Sequence, residues 1–143
     1  QDAAGISTWD GSKMHLQKEL GLVTEAFKKE GSYSHLVGNV GIGHVRYPTA
    51  GSDDVSEAQP FHTANPVNIT LAHNGTLINS EEIREDLESR GVKFTTESDT
   101  EVLFNYLIYF KCKKISKLDG IFAFAFLIFC LVSSSISEKI GFA

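Results

Sequence analysis

The segment Val67–Asn79 (VNITLAHNGTLIN) constrains the fold of this chain more than any other stretch. Apolar residues alternate on both sides of Asn74-Gly75, and that dipeptide is the strongest short-range signal for a two-residue hairpin turn. We therefore expect strands flanking a type I′ turn at Asn74-Gly75. Two helices follow. Asn79 or Ser80 opens the first, which runs to about Arg90 with Ile83 and Leu87 on one face and Gly91 as its stop. Ser98-Asp99-Thr100-Glu101 reads as a capping box opening the second, whose apolar face is Val102, Leu103, Tyr106, Leu107 and Phe110.

Ahead of this segment, Ala3–Trp9 reads as a short strand and Asn39–Tyr47 (NVGIGHVRY) as a buried one, its glycines marking close backbone approach. Thr24 is placed to cap a short helix through Lys29, ended by Gly31. Pro48 to Phe61 reads as a polar loop. The chain is thus a mixture of helix and strand, with strands dominant in its first two thirds.

At 143 residues it has the length of one domain. A composition 42% apolar and 22% charged argues against disorder. The formal net charge of −5 offers no basic field, which excludes nucleic acid as an expected partner. The charge is uneven. Residues 81–101 hold eight acids against three bases, an excess of five that equals the charge of the whole chain, and read as a solvated helix face. The longest apolar run, Ile121–Val132, is 12 residues, against roughly 20 for a membrane span, so no membrane partner is expected. Two cysteines, Cys112 and Cys130, make neither a disulfide framework nor a zinc site and fit a reducing, cytoplasmic setting. The chain begins at Gln1 with no initiator Met or secretory leader, so a fragment, or else a processed product, is expected.

Arg46 is one of three arginines and sits in an apolar strand with no acid between Glu30 and Asp53. Two readings stay open: a salt-bridged or snorkelling side chain, or a guanidinium that forks onto a ligand carboxylate or phosphate. Asn74 and Gly75 read first as a turn, yet an amide side chain and a glycine N–H held there can aim two donors at one oxyanion. Asp99 is a first-turn helix acid that could also receive a substrate ammonium group. An arginine and an aspartate converging on one pocket would match a free amino acid. None of the five histidines has metal-ligand spacing, so no metal site is expected. Gly38, Gly41 and Gly43 run in the wrong order for a dinucleotide fingerprint.

Five blocks in order carry a resemblance: Gln1-Asp2-Ala3-Ala4-Gly5-Ile6; Gly41 to Gly51 (GIGHVRYPTAG); Ser56 to Phe61 (SEAQPF); Leu71-Ala72-His73-Asn74-Gly75; and Ser98-Asp99-Thr100-Glu101. Together they resemble the glutaminase domain of the glutamine phosphoribosylpyrophosphate amidotransferase (amidophosphoribosyltransferase) family, over residues 1 to about 110. The resemblance implies a class II, N-terminal-nucleophile amidotransferase and an α+β fold, a four-layer αββα sandwich that is incomplete at the N-terminus here. Residues 1–132 would be a partial glutaminase domain and 133–143 an atypical tail, with the phosphoribosyltransferase domain absent.

Carried over, Arg46 would grip the α-carboxylate of L-glutamine with Thr49 helping to orient it. Asp99 would take the α-ammonium, and Asn74 and Gly75 would form the oxyanion hole. The family attacks with an N-terminal cysteine, which its pattern places upstream of Gln1, so the chain as it stands is expected to be inactive. Ammonia released in such proteins goes to phosphoribosyl pyrophosphate to make 5-phosphoribosylamine, the first step of de novo purine synthesis. No cofactor is expected in this chain; Mg²⁺ would belong to the phosphoribosyltransferase domain, and the full-length protein would be a homo-oligomer. The alternatives are another class II amidotransferase, of the asparagine synthetase or sugar-phosphate type, or a catalytically dead remnant that binds glutamine or a partner.

Overall fold

The computed structural model describes residues 2–28, 31, 33–47, 54–66, 68–112 and 123–128, with the backbone alone at 111–112 and 123–128. Among the described residues, six strands form two sheets. In the first, β1 (Ala3–Trp9) lies between β2 (Met14–Leu20) and β3 (Val40–Arg46), antiparallel to both. In the second, β5 (Ile69–Asn74) lies between β4 (Phe61–Thr63), which is antiparallel to it, and β6 (Ala123–Ile128), which is parallel. α1 (Val23–Ala26) follows β2, while α2 (Ser80–Ser89) and α3 (Asp99–Tyr106) lie between β5 and β6 in the chain.

The period-2 geometry of β5 explains how the layers stack. Ile69 and Leu71 point to one face, where they join Phe61, Leu77, Val102, Leu103 and Phe104 in the main core under α3. Thr70 points to the other face, where its hydroxyl meets that of Ser7 on β1 at 3.3 Å, buried between the two central strands. Ile69 through His73 are therefore all buried, as in a strand covered on both sides. Gly5 permits this closeness: a Cβ there would fall on the carbonyl oxygen of Gln59. Sheet, sheet and a helical layer are three of the four layers of the expected αββα sandwich, an α+β arrangement.

The strands expected at Ala3–Trp9 and within 39–47 are present, as are both later helices. α2 ends in a Schellman motif, with Gly91 at φ +85°, its N–H donating to the Glu88 carbonyl, and the Val92 N–H donating to the Leu87 carbonyl. Three local expectations are corrected. No return strand follows Asn74-Gly75; the chain turns toward α2, and β5 takes its partners from β4 and β6. The expected helix reaching Lys29 is only α1, with Leu22 rather than Thr24 at the N-cap and no side-chain cap. Ser98 caps α3 by accepting the Thr100 N–H, but Glu101 does not reach back to Ser98. Its buried carboxylate accepts the N–H and O–H groups of Thr95 and Thr96 instead, fixing the approach to the helix. α3 runs on as a π-type helix over Leu107–Cys112.

Candidate functional site

The C-terminal ends of β3 and β5 and the N-terminus of α3 open on one cleft of about 530 Å³. Arg46, Asn74, Gly75 and Asp99 all line it, together with Glu57 and His44. Residues far apart in sequence thus meet because two sheets end at the same rim. Thr49 lies outside the described residues, as does Cys130.

Arg46 is the last residue of β3 and its side chain is only 12% exposed. Its Nη2 lies 3.0 Å from Glu57 Oε2 and its Nε 3.8 Å from Asp2 Oδ2. The acids missing near Arg46 in sequence are therefore supplied by the start of β1 and by the short 3₁₀ turn Val55–Glu57. A largely covered arginine held by two carboxylates is a fixed cation at the cleft wall.

Asn74 closes β5, and Gly75 follows at φ +150°, a backbone that L side chains rarely adopt. His44 Nε2 lies 2.8 Å from Asn74 Oδ1. An amide oxygen only accepts, so Nε2 carries the proton and donates. That bond turns the Asn74 NH₂ group away from His44 and leaves its hydrogens to serve as donors. His44 Nδ1 is buried with no hydrogen-bond partner among the described residues.

Asp99 stands in the first turn of α3, and its Oδ2 accepts the Leu77 N–H at 2.7 Å. This ties the helix start to the turn that carries Asn74 and Gly75. Beneath them, His73 is buried, and its Nδ1 lies 3.4 Å from Thr100 Oγ1. Burial holds its imidazole below the ordinary histidine value; the Asp99 charge opposes this and His44 adds to it. His73 is thus a neutral floor to the cleft.

The chemistry follows from these groups. A cation and an anion lining one cleft can receive the carboxylate and ammonium of an amino acid. An amide NH₂ and a glycine N–H at a rigid strand end can meet a developing oxyanion. Among the described residues no group of three or more His, Cys, Asp or Glu could hold a metal ion, and no helix is long and apolar enough to cross a membrane. Sequence reasoning gave no role to His44, Glu57 or Gln59. The only trace of the last two was their place in the SEAQPF block.

Residues 4–129 match the family model for the glutamine amidotransferase domain. The chain is 44% identical over 122 residues to an amidophosphoribosyltransferase of Methanocaldococcus jannaschii, covering 85% of this chain and 26% of that one. It is 51% identical over 107 residues to the amidophosphoribosyltransferase of Escherichia coli, covering 73% of this chain and 21% of that one. It superposes on a glutamine phosphoribosylpyrophosphate amidotransferase from Bacillus subtilis, complexed with ADP and GMP, with a TM-score of 0.67 and 38% identity. That match covers 82% of this chain and 26% of the structure. The chain therefore spans about a quarter of the length of these relatives.

Proposed function

The chain belongs to the glutamine amidotransferase domain family, and from that premise we propose that its cleft binds L-glutamine and frees the amide nitrogen as ammonia. The observation that carries this reading is the convergence of Arg46, Asn74-Gly75 and Asp99 on one cleft. In it, the guanidinium of Arg46 receives the α-carboxylate, with Thr49 orienting it, and Asp99 receives the α-ammonium. The side-chain amide of glutamine then lies toward Asn74 and Gly75. A cysteine thiolate, which the family carries at the chain start ahead of the position of Gln1, attacks the amide carbon. Negative charge moves onto the carbonyl oxygen, where the Asn74 NH₂ and the Gly75 N–H stabilise it. The cysteine's own α-amino group, which took the thiol proton, passes it to the amide nitrogen; collapse then expels ammonia and leaves a thioester, which water hydrolyses to glutamate and the free thiol.

We assign residues 1–132 to this glutaminase unit and 133–143 to a tail. The amidophosphoribosyltransferase relatives support the finer reading, in which a phosphoribosyltransferase domain passes the ammonia to phosphoribosyl pyrophosphate, opening purine synthesis. Mg²⁺ would serve that domain, and the assembled protein would be a homo-oligomer in the cytoplasm.

The test is steady-state kinetics of Arg46→Lys in the longer polypeptide, carrying this sequence behind its cysteine-first segment. Lysine keeps the charge and loses the fork, and a partly desolvated carboxylate loses about 1.5–3 kcal/mol of contact. KM for glutamine should rise about ten- to a hundredfold, while ammonia-dependent synthesis, which bypasses the cleft, is retained. Equal loss of both activities would mean that Arg46 only holds Glu57 and Asp2 together.

A further inference from the structure

Gln59 is 8% exposed, and its one amide group is shared between two elements of the site. Its Oε1 accepts the backbone N–H of His73 at 2.6 Å, and its Nε2 donates to Thr100 Oγ1 at 3.1 Å. His73 immediately precedes Asn74, and Thr100 immediately follows Asp99. The register explains why a side chain is needed here. Phe61 pairs with Leu71, so residue 59 falls opposite His73, two residues beyond the last pair of the β4–β5 ladder. The side-chain oxygen of Gln59 satisfies the N–H that the ladder leaves over. Two residues earlier, Glu57 holds Arg46. The run Glu57–Gln59 thus touches, directly or through one neighbour, all three walls of the cleft.

We propose that Gln59 is a positioning residue that fixes the distance between the Asn74-Gly75 donors and the Asp99 carboxylate, so that glutamine is held at both ends at once. The proposal rests on the glutamine reading of the cleft. Losing the bond to Thr100 frees the ammonium-binding wall and affects binding. Losing the bond to the His73 N–H also loosens the strand end that aims the oxyanion donors, and so affects turnover. Thr100 Oγ1 is additionally 3.4 Å from Asp99 Oδ1, to which its hydroxyl donates.

The experiment is the kinetics of Gln59→Met, Thr100→Val and the double variant in the longer cysteine-bearing polypeptide. Ammonia-dependent synthesis is measured on each. Gln59→Met should raise KM for glutamine and lower kcat, each about tenfold. Thr100→Val should raise KM by a similar factor and leave kcat within about twofold, because Gln59 still holds His73. The double variant should fall short of the product of the singles, since both break one shared hydrogen bond. Ammonia-dependent synthesis should not change. A kcat loss shared equally with the ammonia reaction, or KM effects that simply multiply, would overturn the proposal. Should Gln59→Met fail to fold, Thr100→Val decides alone, and an unchanged KM overturns the idea. Asp99→Asn separates the two levels. If it raises KM while Gln59→Met behaves as the parent, only this inference falls; if it leaves KM unchanged, the glutamine reading falls and takes the inference with it.

Discussion

The NH₂ of Asn74 is left to donate because His44 claims its oxygen, and Glu57, 3.0 Å away, helps Asp2 to fix Arg46 as a cation. Neither partnership could be read from sequence, since the partners stand 30 positions apart in the first case and across a loop in the second. Arg46, Asn74, Gly75 and Asp99 were legible because the resemblance attached a role to each; His44, Glu57 and Gln59 lie in the same blocks but had no role attached. His73 makes a testable statement at the same scale. Burial lowers its pKa, so the unfolded chain takes up a proton near pH 6.5 while the folded one does not. The stability it leaves intact above that pH is therefore lost progressively as the pH falls toward the lowered folded value. The thermal midpoint should drop between pH 7.5 and 5.5, and less so in His73→Gln. Asp10, Asp54 and Asp86 also have lowered pKa values, held down by hydrogen bonds, but they titrate below about pH 4 and lie outside this window. Equal acid sensitivity in parent and variant would remove His73 from the account.

β5 shows where local pattern misleads at the scale of an element. Asn74-Gly75 carries a strong hairpin signal, yet the partners of β5 come from β4 and from β6, the latter beginning 49 residues after Asn74 and running parallel. A parallel partner needs a long crossover, here containing α2 and α3, and no short-range signal can announce it. β2 went unread for a different reason. Met14, Leu16 and Leu20 alternate, but Lys18 interrupts the apolar face. In the structure the Lys18 ammonium lies 4.7 Å from the centre of the Phe61 ring, so its stem covers the second sheet as an apolar residue would. Burial lowers its pKa accordingly. The packing of β1 on the Glu57–Gln59 run gives an element-scale prediction. Gly5→Ala would push a methyl group onto the Gln59 carbonyl oxygen, costing about 1–3 kcal/mol. The thermal midpoint should fall and KM for glutamine should rise, since the segment that braces the cleft must shift. A variant with the parent's midpoint and KM would mean that β1 gives way instead.

Over the whole molecule, the architecture matters to function because two sheets and a helix end at one rim. β3 brings Arg46, β5 brings Asn74 and α3 brings Asp99, so no single element contains the cleft. The resemblance in sequence was enough to place the fold, and four of the five residues it singled out line one cleft, with Thr49 beyond the described residues. What it could not supply was the bracing from behind, because buried hydrogen bonds such as those of Gln59 are products of the packing. The central claim, that this cleft stabilises charge on a glutamine amide, is tested most directly by Asn74→Ala in the longer cysteine-bearing polypeptide. The oxyanion forms only in the transition state, so kcat for glutamine should fall by about a hundredfold or more with little change in KM, and ammonia-dependent synthesis should persist. An unchanged kcat would mean that Asn74 merely ends a strand, and the oxyanion assignment would be wrong.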